Sequence, residues 1–208
     1  MPEWEIVVVD DGSTDGTSEL ADRLAATVAG VRVVHHERNL GYGAALRTGF
    51  EAARHEWVFF TDADGQFDPK ELGELLAMAD RHDAVLGWRR TREDHALRKV
   101  NTWLWSLVVR AVVGLDVRDP DCAFKLLRRS RVAALGPLTT GGAVTSTELL
   151  VKLRRSGVTW AEVPVTHRPR LAGQASGASP RVIARAVVEL VHLRRSLSRA
   201  AWAPVRPA

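Results

Sequence analysis

Residues 57–66 read Trp-Val-Phe-Phe-Thr-Asp-Ala-Asp-Gly-Gln, an apolar run that passes directly into two aspartates. The run predicts a β-strand over 57–60, and in a strand residues two apart point the same way. Asp62, Asp64 and Gln66 would therefore converge just beyond the carboxyl end of the strand. Two carboxylates and an amide oxygen form a hard, oxygen-only ligand set that suits Mg²⁺ or Mn²⁺. The alternative is that the aspartates only cap the next helix.

The start of that next helix is marked by its own residues. Asp68 is placed as the N-cap, Pro69 at the first helical position and Glu71 three residues after the cap, which is the pattern of a capping box. Because Asp68 already supplies the cap, Asp62 and Asp64 are available for another role.

Strands and helices alternate along the first half of the chain. This order predicts an α/β fold of the Rossmann-like type, with a mostly parallel sheet and helices on both faces. The patterns predict strands over 5–9, 31–34, 57–60 and 84–88, helices over 20–28 and 41–53, and a return to the sheet over 158–165. Open sheets of this kind bind ligands at the carboxyl ends of their strands.

A second acidic turn, Asp-Asp-Gly-Ser-Thr-Asp at 10–15, follows the first predicted strand and should face the same edge of the sheet. Its carboxylates could accept hydrogen bonds from a nucleobase or a ribose. The alternative is helix capping, which we expect of at least one residue of 13–15. The glycines of 41–45 allow close approach of the backbone, but this run lacks the third glycine of a dinucleotide fingerprint.

The composition describes a globular protein with a basic balance. The chain has 208 residues and a net charge of +4, so we expect an anionic partner such as nucleic acid, an anionic membrane or a sugar diphosphate. No helix-turn-helix, zinc or aromatic RNA-binding signature is present, so nucleic acid is not expected. The single cysteine, Cys122, permits no intrachain disulfide and indicates a reducing compartment such as the cytoplasm. We recognise no export leader and no apolar run long enough to span a membrane.

Two segments have compositions suited to a membrane interface. The segment 97–113 holds Trp103 and Trp105 among apolar residues, and 181–199 mixes apolar residues with arginines. An ordinary core helix is the alternative for 97–113. We divide the chain into an α/β domain over 1–178 and a basic amphipathic helix and tail over 179–208. We expect a cytoplasmic location with peripheral contact at the inner face of the membrane.

Three motifs, in order, resemble those of a known family. They are Val-Val-Val-Asp-Asp-Gly-Ser-Thr-Asp-Gly-Thr at 7–17, Asn-Leu-Gly-Tyr-Gly-Ala-Ala at 39–45 and Asp-Ala-Asp-Gly-Gln-Phe-Asp-Pro at 62–69. Their order and spacing are similar to those of family 2 inverting glycosyltransferases, which have the GT-A fold. The resemblance is to the branch that contains dolichol-phosphate mannose synthase and the bacterial polyprenyl-phosphate glycosyltransferases. Later motifs at 119–125 and 148–150 extend it over nearly the whole chain.

The resemblance implies roles for individual residues. Those matching positions at the nucleoside and diphosphate of the donor are Val9, Asp11, Asp62, Ala63 and Arg170. Those matching the site of Mg²⁺ or Mn²⁺ are Asp62, Asp64 and Gln66. Arg89 matches an arginine that contacts the substrate. The candidate catalytic residues are Asp64, Arg89, Asp119 and Glu148.

The chain also departs from the family pattern. Mannose synthases have lysines where this chain has Val144 and Ser176, which leaves the identity of the donor open. Such enzymes also begin with a strand that precedes the one predicted over 5–9. In the doubly wound order that first strand lies between the strands predicted over 5–9 and 57–60. The chain is therefore expected to lack a strand in the middle of its sheet.

The implied function is transfer of a sugar, with inversion, from a GDP- or UDP-sugar to a polyprenyl or dolichyl phosphate. A phosphate monoester is largely ionised near neutral pH, so this acceptor needs no strong base. A sugar hydroxyl as acceptor would need Glu148 or Asp119 to take its proton. For Glu148 the alternative is a solvated carboxylate paired with Lys152 at i+4. For the whole chain, the alternative is a degenerate nucleotide-sugar-binding module without catalysis.

Overall fold

A computed structural model describes residues 3–92, 96–142, 144–169 and 180–199. The elements in chain order are β1 (Ile6–Asp10), α1 (Thr17–Thr27), β2 (Val31–His35), α2 (Tyr42–Ala52), β3 (Trp57–Thr61), a 3₁₀ turn (Pro69–Glu71), α3 (Leu72–Leu76), β4 (Ala84–Arg92), α4 (Ala96–Val113), β5 (Phe124–Arg128), α5 (Arg129–Ala133), α6 (Val144–Arg155), β6 (Trp160–His167) and α7 (Pro180–Arg199). The four strands predicted in the first half and the return to the sheet are all present.

The larger sheet has four strands in the order β3-β5-β4-β6. β6 is parallel to β4, and β5 is antiparallel to both β3 and β4, so three of the four strands run in one direction. β1 and β2 form a separate parallel pair. The α/β fold with a largely parallel sheet is thus confirmed. The antiparallel strand β5, inserted between two parallel neighbours, was not predicted.

The core lies on both faces of the larger sheet because successive strand residues point to opposite sides. Leu86 and Leu127 face a cluster built with the helices α4, α6 and α7, which includes Leu149 and Leu190. Val85, Phe124 and Leu126 face a second cluster that contains Phe67 and Leu75. Helices therefore cover both faces of this sheet, as predicted.

The turn before α3 confirms one half of the predicted capping box. The Asp68 carboxylate accepts a hydrogen bond from the Lys70 backbone N–H at 3.1 Å, and Pro69 occupies the first position of the turn. The Glu71 carboxylate instead accepts from the backbone N–H of Thr166 at 2.8 Å, on β6. Glu71 does not close a box because a strand amide competes successfully for its carboxylate.

The helices that carry the two proposed interface segments pack against each other, α4 on α7. α7 buries Ala186, Leu190, Leu193 and Leu197 in the first core cluster. The boundary set at residue 178 lies outside the described residues. Within the described ranges, no helix combines the length and the hydropathy required of a membrane span.

Candidate active site

The insertion of β5 brings three sequence-distant segments to one edge of the sheet. Because β5 runs opposite to β3 and β4, its first residues lie at the carboxyl ends of those strands. Thr61 pairs with Phe124, and Leu86 pairs with Lys125. The acidic turn 119–122, just before β5, is therefore held between the residues that follow Thr61 and the last residues of β4. The sequence analysis predicted the ligand site at this edge.

The turn after β3 has a different geometry from the predicted one. The strand ends at Thr61, and the backbone bends over residues 63–65, with Gly65 at a φ of +71° that favours glycine. Strand alternation therefore does not align Asp62, Asp64 and Gln66. Instead, Asp64 Oδ1 accepts a hydrogen bond from the Gln66 backbone N–H at 3.1 Å, so an aspartate-centred turn sets their positions.

This turn is fastened to the end of β6. The Gln66 side-chain amide donates to the Arg168 carbonyl at 3.0 Å, and the Arg168 N–H donates to the Gln66 carbonyl at 2.7 Å. The Arg168 guanidinium also donates to the Asp68 carboxylate at 2.7 Å. With Nε2 of Gln66 bound to Arg168, Oε1 is the atom of this amide that remains for a metal.

The donor set of the turn fits a divalent metal whose coordination is completed by a ligand. Asp62 is exposed and Asp64 is half-buried. Across the described ranges, no group of three or more His, Cys, Asp and Glu side chains has metal-binding geometry. Two carboxylates and one amide oxygen leave positions for diphosphate oxygens and water, the mode that Mg²⁺ commonly uses.

Arg89 and Asp119 form a two-pronged ion pair beside this turn. Nε and Nη2 of Arg89 each donate to a separate Asp119 oxygen at 2.6 Å. Burial of the guanidinium opposes its charge, but the Asp119 carboxylate outweighs that effect and raises the pKa of Arg89. The pair fixes the arginine with Nη1 as the nitrogen not engaged by Asp119.

Two residues of the same cluster were not among the predicted site residues. Lys125 is fully buried, donates to the carbonyl of Pro120 at 3.1 Å and to that of Cys122, and lies 5.6 Å from the centroid of the Phe60 ring. Burial lowers the pKa of Lys125. For Asp121, burial and the nearby Asp119 carboxylate raise the pKa to about 6, although Lys125 and Arg89 oppose the shift. The acidic turn 119–122 could be recognised in the sequence, but its burial could not be predicted.

The start of α2 reaches the same edge. Tyr42 interacts with Ser146 at the start of α6, and burial of its hydroxyl together with the carboxylates of Asp62 and Asp121 raises the pKa of Tyr42. The next residue must be glycine, because a Cβ on Gly43 would lie 2.6 Å from Thr145 Oγ1. Tyr42 thus stands between the aspartate that follows β3 and the one that precedes β5.

The predicted nucleoside-contacting residues lie on the smaller sheet, at the carboxyl end of β1. The Asp11 carboxylate accepts from the backbone N–H groups of Leu40 and Gly41, at 2.9 and 2.8 Å, and pairs with His36 at 2.7 Å. Val9 packs beside Gly49 of α2. Asp11 therefore braces the loop before α2, and its contact with a donor remains a prediction. Arg170 and Ser176 lie outside the described residues.

Glu148 is buried inside α6 rather than solvated. Its two carboxylate oxygens accept from the N–H and hydroxyl groups of Thr139 and Thr140. Lys152 adds a salt bridge at 2.7 Å, the i+4 pair considered from the sequence. With five donor groups on two oxygens, the geometry favours Glu148 as an anchor for residues 139–140 over its use as a base. Val144, the first residue of α6, is buried.

Several solved structures share this architecture, among them complexes of one synthase with UDP and a divalent metal. Glucosyl-3-phosphoglycerate synthase from Mycobacterium tuberculosis, in complex with Mg²⁺ and UDP, matches with a TM-score of 0.68 at 19% identity, over 91% of this chain and 68% of that one. The same enzyme with Mn²⁺, UDP and glucosyl-3-phosphoglycerate matches with a TM-score of 0.64 at 21% identity, with the same coverage. At these identities the likeness establishes the GT-A fold.

The family follows from the sequence. The model of Glycosyl transferase family 2 matches residues 1–142, and the chain belongs to that family. It is 31% identical to a dodecaprenyl-phosphate galacturonate synthase of Rhizobium johnstonii, over 82% of this chain and 51% of the relative. It is 30% identical to an undecaprenyl-phosphate mannosyltransferase of Micrococcus luteus, over 91% of this chain and 82% of the relative. The chain thus spans about half of the first relative and most of the second.

Proposed function

We propose that this chain transfers a sugar from a nucleoside diphosphate sugar to a polyprenyl or dolichyl phosphate, with inversion and with Mg²⁺ or Mn²⁺. The observation that carries the proposal is the juxtaposition of the Asp62–Gln66 turn and the Arg89–Asp119 pair at one sheet edge. Family membership and relatives named for polyprenyl-phosphate acceptors support this reading.

In the proposed mechanism, Asp62, Asp64 and Gln66 hold the metal. When bound, the metal stabilises the negative charge that grows on the departing nucleoside diphosphate. Arg89, fixed by Asp119, presents Nη1 to a phosphate oxygen, and a guanidinium held in one orientation binds phosphate without further loss of side-chain freedom.

The donor is proposed to lie across the two sheets. Its nucleoside lies against Val9 and Asp11 at the end of β1, and its diphosphate lies near Ala63, with Arg170 as a further contact. UDP in the structural neighbours supports a nucleoside diphosphate sugar. UDP and GDP are distinguished by the donor screen described below.

The acceptor is proposed to reach this edge from a membrane surface. α4 exposes Leu104 and Leu107, and its packing partner α7 exposes Val188 and Arg185. Apolar side chains with basic neighbours suit an interface of anionic lipid on the cytoplasmic side. Sedimentation with anionic vesicles is expected to show binding that weakens with added salt, because salt screens the charge contribution. Absence of binding at low ionic strength would count against a lipid acceptor.

The central test is a donor screen with Mn²⁺ by calorimetric titration, followed by transfer to undecaprenyl phosphate. Asp64→Asn, and more weakly Asp62→Asn, should abolish the metal-dependent part of donor binding without unfolding the protein. Asp80→Asn, an exposed aspartate in the turn that follows α3, serves as the matched control. Unchanged metal-dependent affinity in both site variants would refute the metal site. Donor binding without any transfer would identify a degenerate binding module.

A further inference from the structure

Two adjacent histidines at the end of β2, His35 and His36, are each held by side chains from two other elements. β1 and β2 run parallel with Asp10 opposite His35, so both histidines lie at the same carboxyl end as Asp11. Because neighbouring residues of an extended chain point to opposite sides, the two rings face different helices. His35 contacts α1, and His36 contacts α2. The two rings thus connect the end of β1, which carries the proposed nucleoside contacts, to both helices.

The contacts of His35 require a proton on each of its ring nitrogens. Nδ1 lies 2.9 Å from the Asp10 carboxylate, and Nε2 lies 2.9 Å from the Asp22 carboxylate on α1. An ionised carboxylate only accepts hydrogen bonds, and a neutral imidazole has a single N–H to donate. Loss of the second proton would therefore set a nitrogen lone pair against a carboxylate oxygen. The ring satisfies both partners only as an imidazolium.

The contacts of His36 carry no such requirement. Its Nδ1 lies 2.7 Å from the Asp11 carboxylate, and its Nε2 lies 2.8 Å from the Thr48 hydroxyl. A hydroxyl can both donate and accept, so a neutral ring with its proton on Nδ1 meets both partners. The two neighbouring histidines therefore differ in the charge that their contacts demand.

The Asp10 carboxylate is the buried end of the His35 arrangement. The Asp10 side chain is 2% exposed, whereas the His35 side chain is 38% exposed. The Asp10 carboxylate also accepts from the Ser13 backbone N–H at 3.1 Å and from the Ser18 hydroxyl at 2.6 Å. Hydrogen bonds from the two serines and then from the histidine hold the pKa of Asp10 far below its usual value. Asp10 is therefore a permanent anion that fixes both ends of the loop between β1 and α1.

We propose that His35, in its charged form, is a positioning residue for the nucleoside of the donor, because it holds α1 and Asp10 together and so fixes the loop that begins with Asp11. This rests on the proposed donor site. The ring acts through Asp10 and α1 and not on the donor itself. A neutral ring would release Asp22, which is one of two attachments of α1 to the end of β1, the other being the Ser18 hydroxyl.

The proposal gives donor binding a defined pH dependence. The titratable groups that face His35 are Asp10 on β1 and Asp22 on α1, and both raise the pKa of His35 above its usual value of about 6.5. Asp15, in the loop between these elements, interacts with Asp10 and adds a third negative charge. The positioning is therefore fully present below about pH 6.5 and is lost as pH rises through the raised pKa of His35. Because the ring is partly exposed, added salt should weaken the effect.

The test is calorimetric titration of wild type and His35→Gln with UDP and with GDP, each with Mg²⁺, between pH 6 and 9. At pH 6, His35→Gln should bind about 5-fold more weakly, the scale of one or two partly exposed ion pairs. The ratio of the two affinities should fall towards 1 at pH 9, and this ratio cancels the titration of the nucleotide itself. His192→Gln, at an exposed histidine of α7, is the matched control and should behave as wild type at every pH.

A nitrogen NMR titration reads the charge of His35 without any nucleotide. Both ring nitrogens of His35 should remain protonated above pH 6.5. In Asp22→Asn, the amide can donate as well as accept, so the pKa of His35 should fall and the loss of nucleotide affinity should move to lower pH.

The outcomes separate this role from the proposed function. Equal affinity of wild type and His35→Gln at pH 6, or a constant ratio across the pH range, would overturn the role of His35 and leave the donor site standing. Loss of the second ring proton below pH 6.5 would also overturn it. Failure of wild type to bind either nucleotide at any pH would contradict the proposed function together with this role.

Discussion

The two sheets of this molecule are built by different means. Of residues 3–56, which include β1 and β2, only Asp10, Ala21 and Gly43 are buried. In β5 alone, four consecutive residues, 124–127, are buried. The first region is held largely by carboxylates that accept backbone and histidine hydrogen bonds, and the second by apolar packing on both sheet faces.

This difference separates the two halves of the proposed donor site. The nucleoside side rests on the lightly buried region, and the metal side rests on the dense one. Segments with few buried apolar contacts open at low free-energy cost, so the nucleoside side should be the less stable half. The predictions below test that contrast, from the largest expected effect to the smallest.

The largest effect is expected from joining the two sheets. β1 and β3 each have one edge that pairs with no strand among the described residues. A strand supplied between these two edges, on an amino-terminal extension of roughly 30 residues or more, would pair both of them. We expect several kcal/mol of added stability, at about 2–4 °C in Tm for each kcal/mol. Thermal melting, solubility and donor hydrolysis measure this. Equal behaviour of the two proteins would show that a joining strand is dispensable.

The second prediction compares the same substitution in the two regions. Leu190→Ala removes a fully buried side chain from the first core cluster and should lower the free energy of unfolding by about 2–5 kcal/mol. Leu24→Ala, on the 45% exposed Leu24 of α1, should change it by no more than about 0.5 kcal/mol. Urea denaturation of both variants measures the contrast. Equal losses would mean that α1 is covered in solution.

The third prediction concerns the ionisation of Asp121 in the dense region. Its folded pKa of about 6 exceeds the unfolded value of about 3.9, so the folded state binds more protons between these pH values. Stability from this group is therefore present at low pH and lost as pH rises through 4 to 6. Asp121→Asn should match wild type near pH 4 and be more stable by about 1–3 kcal/mol at pH 7.5. A pH series of melting curves without metal measures this, and parallel curves would contradict it.

The smallest effect is expected from the carboxylate that braces the nucleoside side. Asp11→Ala removes the acceptor of the Leu40 and Gly41 N–H groups, and should cost about 1 kcal/mol. Hydrogen exchange at residues 40 and 41 should accelerate, while β5 amides stay protected. Asp15→Ala, which removes only an exposed contact to Thr17, is the control. Faster exchange in β5 would show that the two regions open together.

The elements that depend only on neighbouring residues could be predicted from the sequence. The strand before Asp62 and the cap at Asp68 follow from side-chain pattern and turn chemistry alone. The strand β5 could not be predicted in this way, because the charged Lys125 interrupts its apolar pattern and its partner residues are 39 to 71 residues away in the sequence. From the sequence alone, Lys125 is expected to lie at the surface, because the carbonyl groups that accept its hydrogen bonds are known only from the structure.

The candidate site divides in the same way. Asp62, Asp64, Arg89 and Asp119 were identified from motifs, and the structure brings their segments to one edge. The role of Glu148 was harder to foresee. Its pairing with Lys152 follows from i+4 spacing, but its burial depends on how residues 139–140 fold back onto α6. Likewise, nothing local to Asp121 indicates that burial raises its pKa.

The attachment of the metal turn to β6 has a consequence for the order in which the site is completed. Gln66 and Asp68 reach Arg168 across 102 and 100 residues of sequence. On the ribosome, the aspartates would emerge long before the residues that hold their turn in shape. A fragment ending before residue 160 would contain the whole acidic motif but not its anchoring. Metal affinity should therefore appear late in synthesis, together with β6.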